Sequence, residues 1–294
     1  MTVSMHTDSM RIERALLAAV ARGEAPGAPP RLAAALRHAT FPGGGRIRPR
    51  LCLAVAAACG EDDPALSDAA AAAIELLHCA SLVHDDMPCF DDAPTRRGKP
   101  SVHAAFGEPL ALLAGDALIV AAFQTLAFGA VGSPARLGAL LQAVGDAAGM
   151  PFGIAAGQAW ECEPDADLSD YQRAKTGALF AAATVAGAVA AGEPPGRWRA
   201  LGEWLGEAYQ VADDIRDATA DPEALGKPVG RDLALGRPSA ARSFGVAGAM
   251  RRLQSLADEA VRAIPPCPGA ADLQALILFE AQRLLPKELS LRAA

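Results

Sequence analysis

Apolar residues recur with the spacing of a helix, and seldom alternate, along most of this 294-residue chain. Short segments rich in Gly, Pro or Asp interrupt the pattern, and such residues commonly end helices. The interruptions fall at 23–30, 41–45, 60–64, 93–100, 132–134, 193–196, 220–236 and 265–269. The intervals predict roughly eight to ten helices, of which 67–87 and 168–191 are the clearest, with Ser67 as the N-cap of the first.

The composition supports an all-α fold. Alanine-rich blocks such as Ala69–Ala73 favour helices and allow them to approach closely, whereas runs of Val, Ile and Thr are almost absent. Apolar residues make up 51% of the chain, which is enough for a large buried core. No linker or change of composition marks a boundary, so we expect one domain spanning residues 1–294.

Charge and cysteine content exclude several classes of protein. A net charge of −7 argues against nucleic-acid binding, which needs clustered basic residues. We expect no membrane span, because no interval holds roughly 18 uninterrupted apolar residues, and residues 1–14 lack the pattern of a signal peptide. The six cysteines show no CxxC spacing, which is typical of reduced thiols in a cytoplasmic protein.

Two aspartate clusters, at 84–92 (HDDMPCFDD) and 213–217 (DDIRD), occur at the ends of otherwise apolar helical patterns. Asp213 and Asp217 are four residues apart and therefore share one helix face. Carboxylates in such surroundings repel one another and are costly to desolvate unless a cation joins them. Mg²⁺ binds carboxylate oxygens and bridges them to phosphate. One such cluster alone would more often be a solvated helix end, but two predict a magnesium site.

The spacing of the first cluster leaves one ligand open. On a straight helix, Asp92 lies seven residues from Asp85 and shares its face, whereas Asp91 does not. Pro88 would distort the last turn, however, and could bring Asp91 round instead.

Basic segments accompany both clusters and indicate a polyanionic ligand. They lie at 43–49 (GGGRIRP), 95–100 (TRRGKP), 226–231 (GKPVGR) and 236–239 (GRPS), and Lys175 interrupts an apolar helical pattern. Forked guanidinium groups match phosphate oxygens. His78 lies seven residues before Asp85 on the same helix face, where it is either a core residue or a ligand contact.

Together these residues closely resemble the trans-prenyl diphosphate synthases, over almost the whole chain. The resemblance rests on GGxRxRP at 43–49, the segment 78–86, DDxxxxD with RRGKP at 85–100, AGDA at 114–117, GQ at 157–158, KTG at 175–177, YQxxDDxxD at 209–217 and GK at 226–227. It implies an isoprenoid-synthase-type antiparallel helix bundle around a deep central cavity, usually in a homodimer. It also implies Mg²⁺-dependent condensation of isopentenyl diphosphate with C5, C10 or C15 allylic diphosphates.

The resemblance also implies residue roles. Asp85, Asp86, Asp91, Asp213, Asp214 and Asp217 would hold about three Mg²⁺ on the allylic diphosphate, with Asp92 the alternative to Asp91. Arg96, Lys175 and Lys227 would contact that diphosphate; Arg48, His78 and Arg97 would bind isopentenyl diphosphate; Thr176 and Gln210 would face the allylic cation. Gly45 replaces the family's usual lysine, so either isopentenyl diphosphate binds more weakly or Arg46 compensates, and Glu161 replaces the family's usual aspartate.

Product length is expected from the residue five positions before Asp85, which forms the floor of the tail cavity in this family. Here Ala80, followed by Ser81, leaves the cavity open, and Phe123 or its neighbours would form the next floor. This segment looks like those of bacterial and plastid geranylgeranyl diphosphate synthases of carotenoid and chlorophyll pathways, so a C20 product is predicted. The alternatives are a C15 farnesyl diphosphate synthase, a terpene cyclase and a non-catalytic partner subunit.

Overall fold

The computed structural model describes residues 2–164, 171, 173–219 and 240–284, and this part of the chain is almost entirely helical. Its α-helices are α1 (Thr2–Arg22), α2 (Pro30–Thr40), α3 (Ile47–Ala58), α4 (Pro64–Asp85), α5 (Val102–Phe106), α6 (Glu108–Gly129), α7 (Pro134–Ala148), α8 (Ile154–Ala159), α9 (Ala178–Ala190), α10 (Arg199–Thr219), α11 (Ala240–Arg262) and α12 (Ala270–Leu284). Strands β1 (Thr95–Arg96) and β2 (Lys99–Pro100) form one antiparallel hairpin. The all-α prediction is confirmed.

Helix α9 lies at the centre of the fold, packed against α3, α4, α7 and α10. Every residue from Leu179 to Ala190 is buried. The helix can be buried on all sides because its small residues let neighbours approach closely. A Cβ at Gly187 would collide with the carbonyl oxygen of Cys52 in α3, so only glycine permits this crossing.

Helix α4 begins earlier than the sequence predicted. Pro64 occupies the first helical turn, where its missing N–H is harmless, and the Asp63 side chain accepts a hydrogen bond from the N–H of Leu66 at 3.2 Å. Ser67 is buried inside the helix, and its hydroxyl donates to the Asp63 carbonyl. The prediction that Ser67 is the N-cap is therefore wrong, because Asp63 already caps the helix.

The long helical pattern predicted at 168–191 contains a π-helical segment, Arg173–Gly177, directly before α9. Gly157 of α8 packs against the backbone of Lys175, where a Cβ would overlap the main chain. Wide π-helical turns are frequent at functional sites, and this one carries Lys175 and Thr176. Residues 165–170 and 172 of the predicted helix lie outside the described residues.

Helices α4 and α6 are long and apolar enough to cross a membrane by length and composition alone, which is weak evidence for a span. The apolar window of α4 is 83% buried, as in the core helix of a globular protein. That of α6 is only 39% buried, so this helix presents an apolar face to the surface.

Candidate active site

The first aspartate cluster is shaped by the chain reversal that follows α4. The helix ends at Asp85, and the N–H of Asp91 donates to the Asp85 carbonyl at 2.9 Å. This places Asp91 close enough to raise the pKa of Asp85. The Asp92 carboxylate instead lies 3.7 Å from Nε2 of His103. Because α4 does not continue, the seven-residue spacing no longer aligns Asp92 with Asp85.

Asp85 is a buried carboxylate with partners on two other elements. Burial raises its pKa, while Lys175 and the hydrogen bond from Gln158 lower it. Gln158 Nε2 lies 3.0 Å, and Lys175 Nζ 3.5 Å, from the Asp85 Oδ1 atom. The lysine is held more closely by Glu161, at 2.5 Å, which also accepts from the Tyr171 hydroxyl. Lys175 is therefore shared between two acids.

The hairpin after the cluster places its two arginines differently. Arg97 and Gly98, the loop residues, both have positive φ, as a two-residue type I′ turn requires. Arg96 pairs with the buried Asp86 carboxylate, with its Nε at 3.0 Å. Burial alone would lower the pKa of Arg96, but Asp86 raises it. Arg97 donates to the Gly43 carbonyl, and the absence of a side chain at Gly44 makes room for its guanidinium.

Arg48 and His78 form a half-buried basic pair. Arg48 Nη1 lies 3.4 Å from His78 Nε2, and its guanidinium stacks on the rings of Phe180 (4.6 Å) and Tyr209 (5.6 Å). Within the described chain, the buried Arg48 Nε has no hydrogen-bond partner. Burial lowers the pKa of Arg48, and burial with the nearby Arg48 charge lowers that of His78 well below its usual value. A half-buried cation whose Nε atom lacks a partner, beside a largely neutral imidazole, is suited to receive an anion.

The first two acids of the second cluster, Asp213 and Asp214 on α10, have different surroundings. Asp213 is partly exposed and lies 3.2 Å from the Arg216 guanidinium. Asp214 is buried and accepts from Gln210 Nε2 (3.0 Å) and from the N–H of Ala240 (2.7 Å), so it anchors the start of α11. Asp217 lies one turn beyond Asp213 on α10, and its side chain is outside the described residues.

The π-helical segment joins the two clusters. Lys175 contacts Asp85 of the first cluster, and the adjacent Thr176 hydroxyl donates to Gln210 Oε1 at 3.0 Å. Gln210 in turn donates to Asp214 of the second cluster. The clusters and Lys175 therefore border one site.

The surplus of carboxylates fits a hard divalent cation. Burial raises the pKa of Asp85, and Glu161 and Asp91 raise it further, so a bound cation would stabilise the ionised carboxylate. Among the described residues, no three His, Cys, Asp or Glu side chains form a ready-made metal cage. Mg²⁺ does not require one, since it uses one or two carboxylates together with water and phosphate oxygens.

Some predicted residues lie elsewhere. Arg46, only 8% exposed, binds Glu75 (2.7 Å), Glu13 (2.8 Å) and the Thr40 carbonyl (2.9 Å). Burial alone would lower the pKa of Arg46, but the two glutamates raise it. The structure thus gives this guanidinium an internal role rather than an orientation toward a ligand. Lys227 lies outside the described residues.

The residues predicted to set chain length lie on α4 and α6, which pack against each other. Ala80 is 1% exposed and stands five positions before Asp85 on the same helix. Ser81 is also buried, with its hydroxyl donating to the His78 carbonyl, and Phe123 packs half-buried against the core.

The sequence reading missed Glu75, Gln158 and Tyr171 as supporting residues. Glu75 carried a usable signal, because an acid inside the alanine-rich stretch of α4 requires a buried partner. Tyr171 carried none, since its contact with Glu161 depends on the turn between α8 and the π-helical segment.

Comparison with known proteins is consistent with this geometry. The polyprenyl synthetase family model matches residues 29–263. Geranylgeranyl diphosphate synthases of Cereibacter sphaeroides and Rhodobacter capsulatus are 55% and 50% identical, covering 96% and 94% of this chain and 98% and 95% of theirs. A geranyltransferase structure from Helicobacter pylori, complexed with magnesium and isoprenyl diphosphate, has a TM-score of 0.79 at 28% identity, covering 95% of this chain and 97% of that one.

The fold and the facing acid and base clusters define a helical prenyltransferase. The chain belongs to the polyprenyl synthetase family. The prediction of a prenyl diphosphate synthase is confirmed, and the family generally depends on a divalent metal.

Proposed function

We propose that this protein condenses isopentenyl diphosphate with allylic diphosphates up to C15 and releases a C20 product. The observation that carries the proposal is that Lys175 and Thr176 connect the two acidic clusters through Asp85 and Gln210. Arg48 of the half-buried basic pair stacks on Tyr209, the residue before Gln210. Such a site suits two diphosphates of different roles, one held through metal and one through direct ion pairs. The 55% identity to a geranylgeranyl diphosphate synthase supports the C20 product.

The allylic diphosphate would lie between the clusters, with Asp85, Asp91, Asp213 and Asp217 as the metal ligands. Bound Mg²⁺ would neutralise charge building on the departing diphosphate. Lys175 would donate directly to that diphosphate, as would Arg96 once it leaves Asp86. We propose the same contact with the allylic diphosphate for Lys227, as the resemblance implies. Asp86 and Asp214 would chiefly orient Arg96 and α11.

Isopentenyl diphosphate would bind at Arg48, His78 and Arg97. Its double bond attacks the allylic carbon as the C–O bond breaks and the diphosphate takes the electron pair. The new C–C bond leaves a cation, which loses a proton to the departed diphosphate. Thr176 and Gln210 would direct oxygen lone pairs at the transient charge, and the apolar surroundings would exclude water.

We also propose that the protein acts as a homodimer through α6. Leu112, Leu113, Val120 and Phe128 form an exposed apolar face on this helix, and Phe128 is 61% exposed. A contiguous face of this kind marks an interaction surface, and a second copy would cover it symmetrically. Light scattering of the wild type should give twice the mass of one chain, and Leu113→Lys should give the mass of a single chain. Phe244→Lys, at an apolar residue on α11 that is exposed even more than Leu113, is the control. A single-chain mass for the wild type would refute the dimer.

The activity is tested with purified protein, Mg²⁺, isopentenyl diphosphate and each of the C5, C10 and C15 allylic diphosphates, followed by product chromatography. We expect a C20 product, abolished in Asp91→Asn but retained in Asp92→Asn, which carries the same change one residue along. A C15 product would support the farnesyl alternative. Absence of product from folded, metal-loaded protein would support the partner-subunit alternative.

A further inference from the structure

The segment Ala114–Ala117 belongs to the motifs of the resemblance but has no role in the proposed reaction. It lies on α6, where that helix packs against the end of α4. A Cβ at Gly115 would overlap the imidazole of His84, so α6 is shaped around this ring. His84 immediately precedes Asp85 and Asp86 in the last turn of α4.

The His84 imidazole is not fully satisfied in the single chain. Its Nε2 is buried and has no hydrogen-bond partner within the described residues. The Asp116 Oδ1 atom lies 3.8 Å away, beyond the roughly 2.7–3.2 Å of a nitrogen–oxygen hydrogen bond. A buried ring nitrogen without a partner is destabilising, and in the tautomer that carries a proton on Nε2 a small rotation of the Asp116 side chain would let it accept a hydrogen bond.

Asp116 lies on the same face of α6 that we propose a second copy covers. Its side chain is 58% exposed, and Leu112, Leu113 and Val120 beside it are exposed as well. Covering the face would remove water from the Asp116 carboxylate. The carboxylate would then need a protein donor, and His84 already points toward it. Assembly would therefore favour closing the gap.

We propose that Asp116 is a positioning residue that acts through His84 to fix the end of α4, and so orients Asp85. The inference rests on the proposed function, because the orientation of Asp85 matters only if Asp85 binds metal and diphosphate. Helix ends fray unless they are held, and here the last turn carries the metal ligand Asp85. Removing a partner that orients a metal-binding group typically costs about 10–100-fold in metal affinity or activity.

The test compares Asp116→Ala with Gln124→Ala, which lies two turns along on the same exposed face of α6. The Mg²⁺ concentration for half-maximal turnover should rise about 10-fold or more in Asp116→Ala and stay unchanged in the control. Asp116→Asn, which keeps an oxygen acceptor, should recover part of the loss. Light scattering and thermal unfolding are measured for each variant. The Mg²⁺ midpoints are compared at protein concentrations at which light scattering gives the same oligomeric mass for both variants.

A second background shows whether Asp116 acts through His84. In His84→Phe, which keeps a ring but removes the donor, adding Asp116→Ala should raise the Mg²⁺ midpoint by less than about twofold, because the shared contact is already gone. An undiminished effect in that background would overturn the proposal. So would equal midpoints for Asp116→Ala and Gln124→Ala in an enzyme that is otherwise active.

A readout without turnover separates this proposal from the proposed function. Calorimetric titration of Mg²⁺ in the presence of inorganic diphosphate should show weaker binding in Asp116→Ala than in Gln124→Ala. If the wild type forms no product, the proposed function fails, and the titration still decides whether Asp116 orients the metal site.

Discussion

Arg46 and Arg48 lie two residues apart in a segment predicted to bind substrate, and the structure assigns them opposite roles. The decisive change is Glu75→Gln, which removes a charge from the buried Arg46 pair but keeps the side-chain shape. Arg46 is 8% exposed and Glu75 3% exposed. Because Arg46 has no observed role beyond these internal contacts, the change should reduce stability and leave substrate binding intact.

The magnitude follows from the contacts that remain. Breaking a buried ion pair by removing one partner costs about 3–5 kcal/mol when the other charge is left alone. In this variant Glu13 and the Thr40 carbonyl still accept from Arg46 at 2.8 and 2.9 Å, and the introduced glutamine amide retains one oxygen acceptor. We therefore expect about 2 kcal/mol, which for a chain of this size lowers the midpoint of thermal unfolding by about 3 °C.

The matched change is Arg48→Gln. Burial lowers the pKa of Arg48, and its Nε has no partner among the described residues, so losing the charge should cost little or no stability. A lost hydrogen bond to a charged ligand is worth about 1.5–3 kcal/mol, so the KM for isopentenyl diphosphate should rise about tenfold or more. Unfolding midpoints and KM values are measured for both variants at a temperature where each is folded. A raised KM with an unchanged midpoint in Glu75→Gln would refute the internal role of Arg46.

Three further results are expected. His78 has a lowered pKa because it is buried near Arg48, so the unfolded chain binds a proton that the folded chain does not. The free energy of unfolding should therefore reach its full value above the ordinary pKa of 6.5 and fall by up to about 1.4 kcal/mol per pH unit below it. Denaturant unfolding at several pH values should show a smaller slope in His78→Gln. Ala80→Tyr should shorten the main product on chromatography, since the ring fills space behind Asp85; an unchanged product would remove Ala80 from that role. Asp213→Ala should abolish turnover at nearly unchanged stability, whereas Asp214→Ala should also cost about 1–2 kcal/mol, because it loses the contact that anchors α11.

The spacing of apolar residues predicted a helix well wherever its ends coincide with a Gly-, Pro- or Asp-rich break in the sequence. The breaks at 41–45, 60–64, 132–134 and 193–196 separate consecutive α-helices of the structure, with Pro64 and Pro134 as the first residues of α4 and α7. The two aspartate clusters were found for the same reason, since acids at the end of an apolar helix are visible in a sequence without neighbours. The resemblance implied that both clusters hold one diphosphate, and in the structure Lys175 contacts Asp85 of the first cluster while Thr176 contacts Gln210 beside the second.

The sequence could not predict features that depend on the path of the backbone at the ends of helices. Residue spacing could not decide between Asp91 and Asp92, because the reversal after α4 is what brings the N–H of Asp91 to the Asp85 carbonyl. Arg46 has φ 47 at the N-cap of α3, and it binds the two glutamates instead of lying beside Arg48. Neither backbone state is encoded in residue spacing.

Helix α4 carries two buried acids, and comparing them shows how an internal carboxylate differs from one suited to binding. Glu75 has a guanidinium at 2.7 Å that is itself buried, so its charge is neutralised within the fold. Asp85 has an amide at 3.0 Å and an ammonium at 3.5 Å that is held closer by Glu161. Its charge is therefore only partly compensated, and burial raises its pKa. A buried acid that the fold leaves short of positive charge is the one that a metal ion would stabilise, which is why Asp85, and not Glu75, belongs to the site.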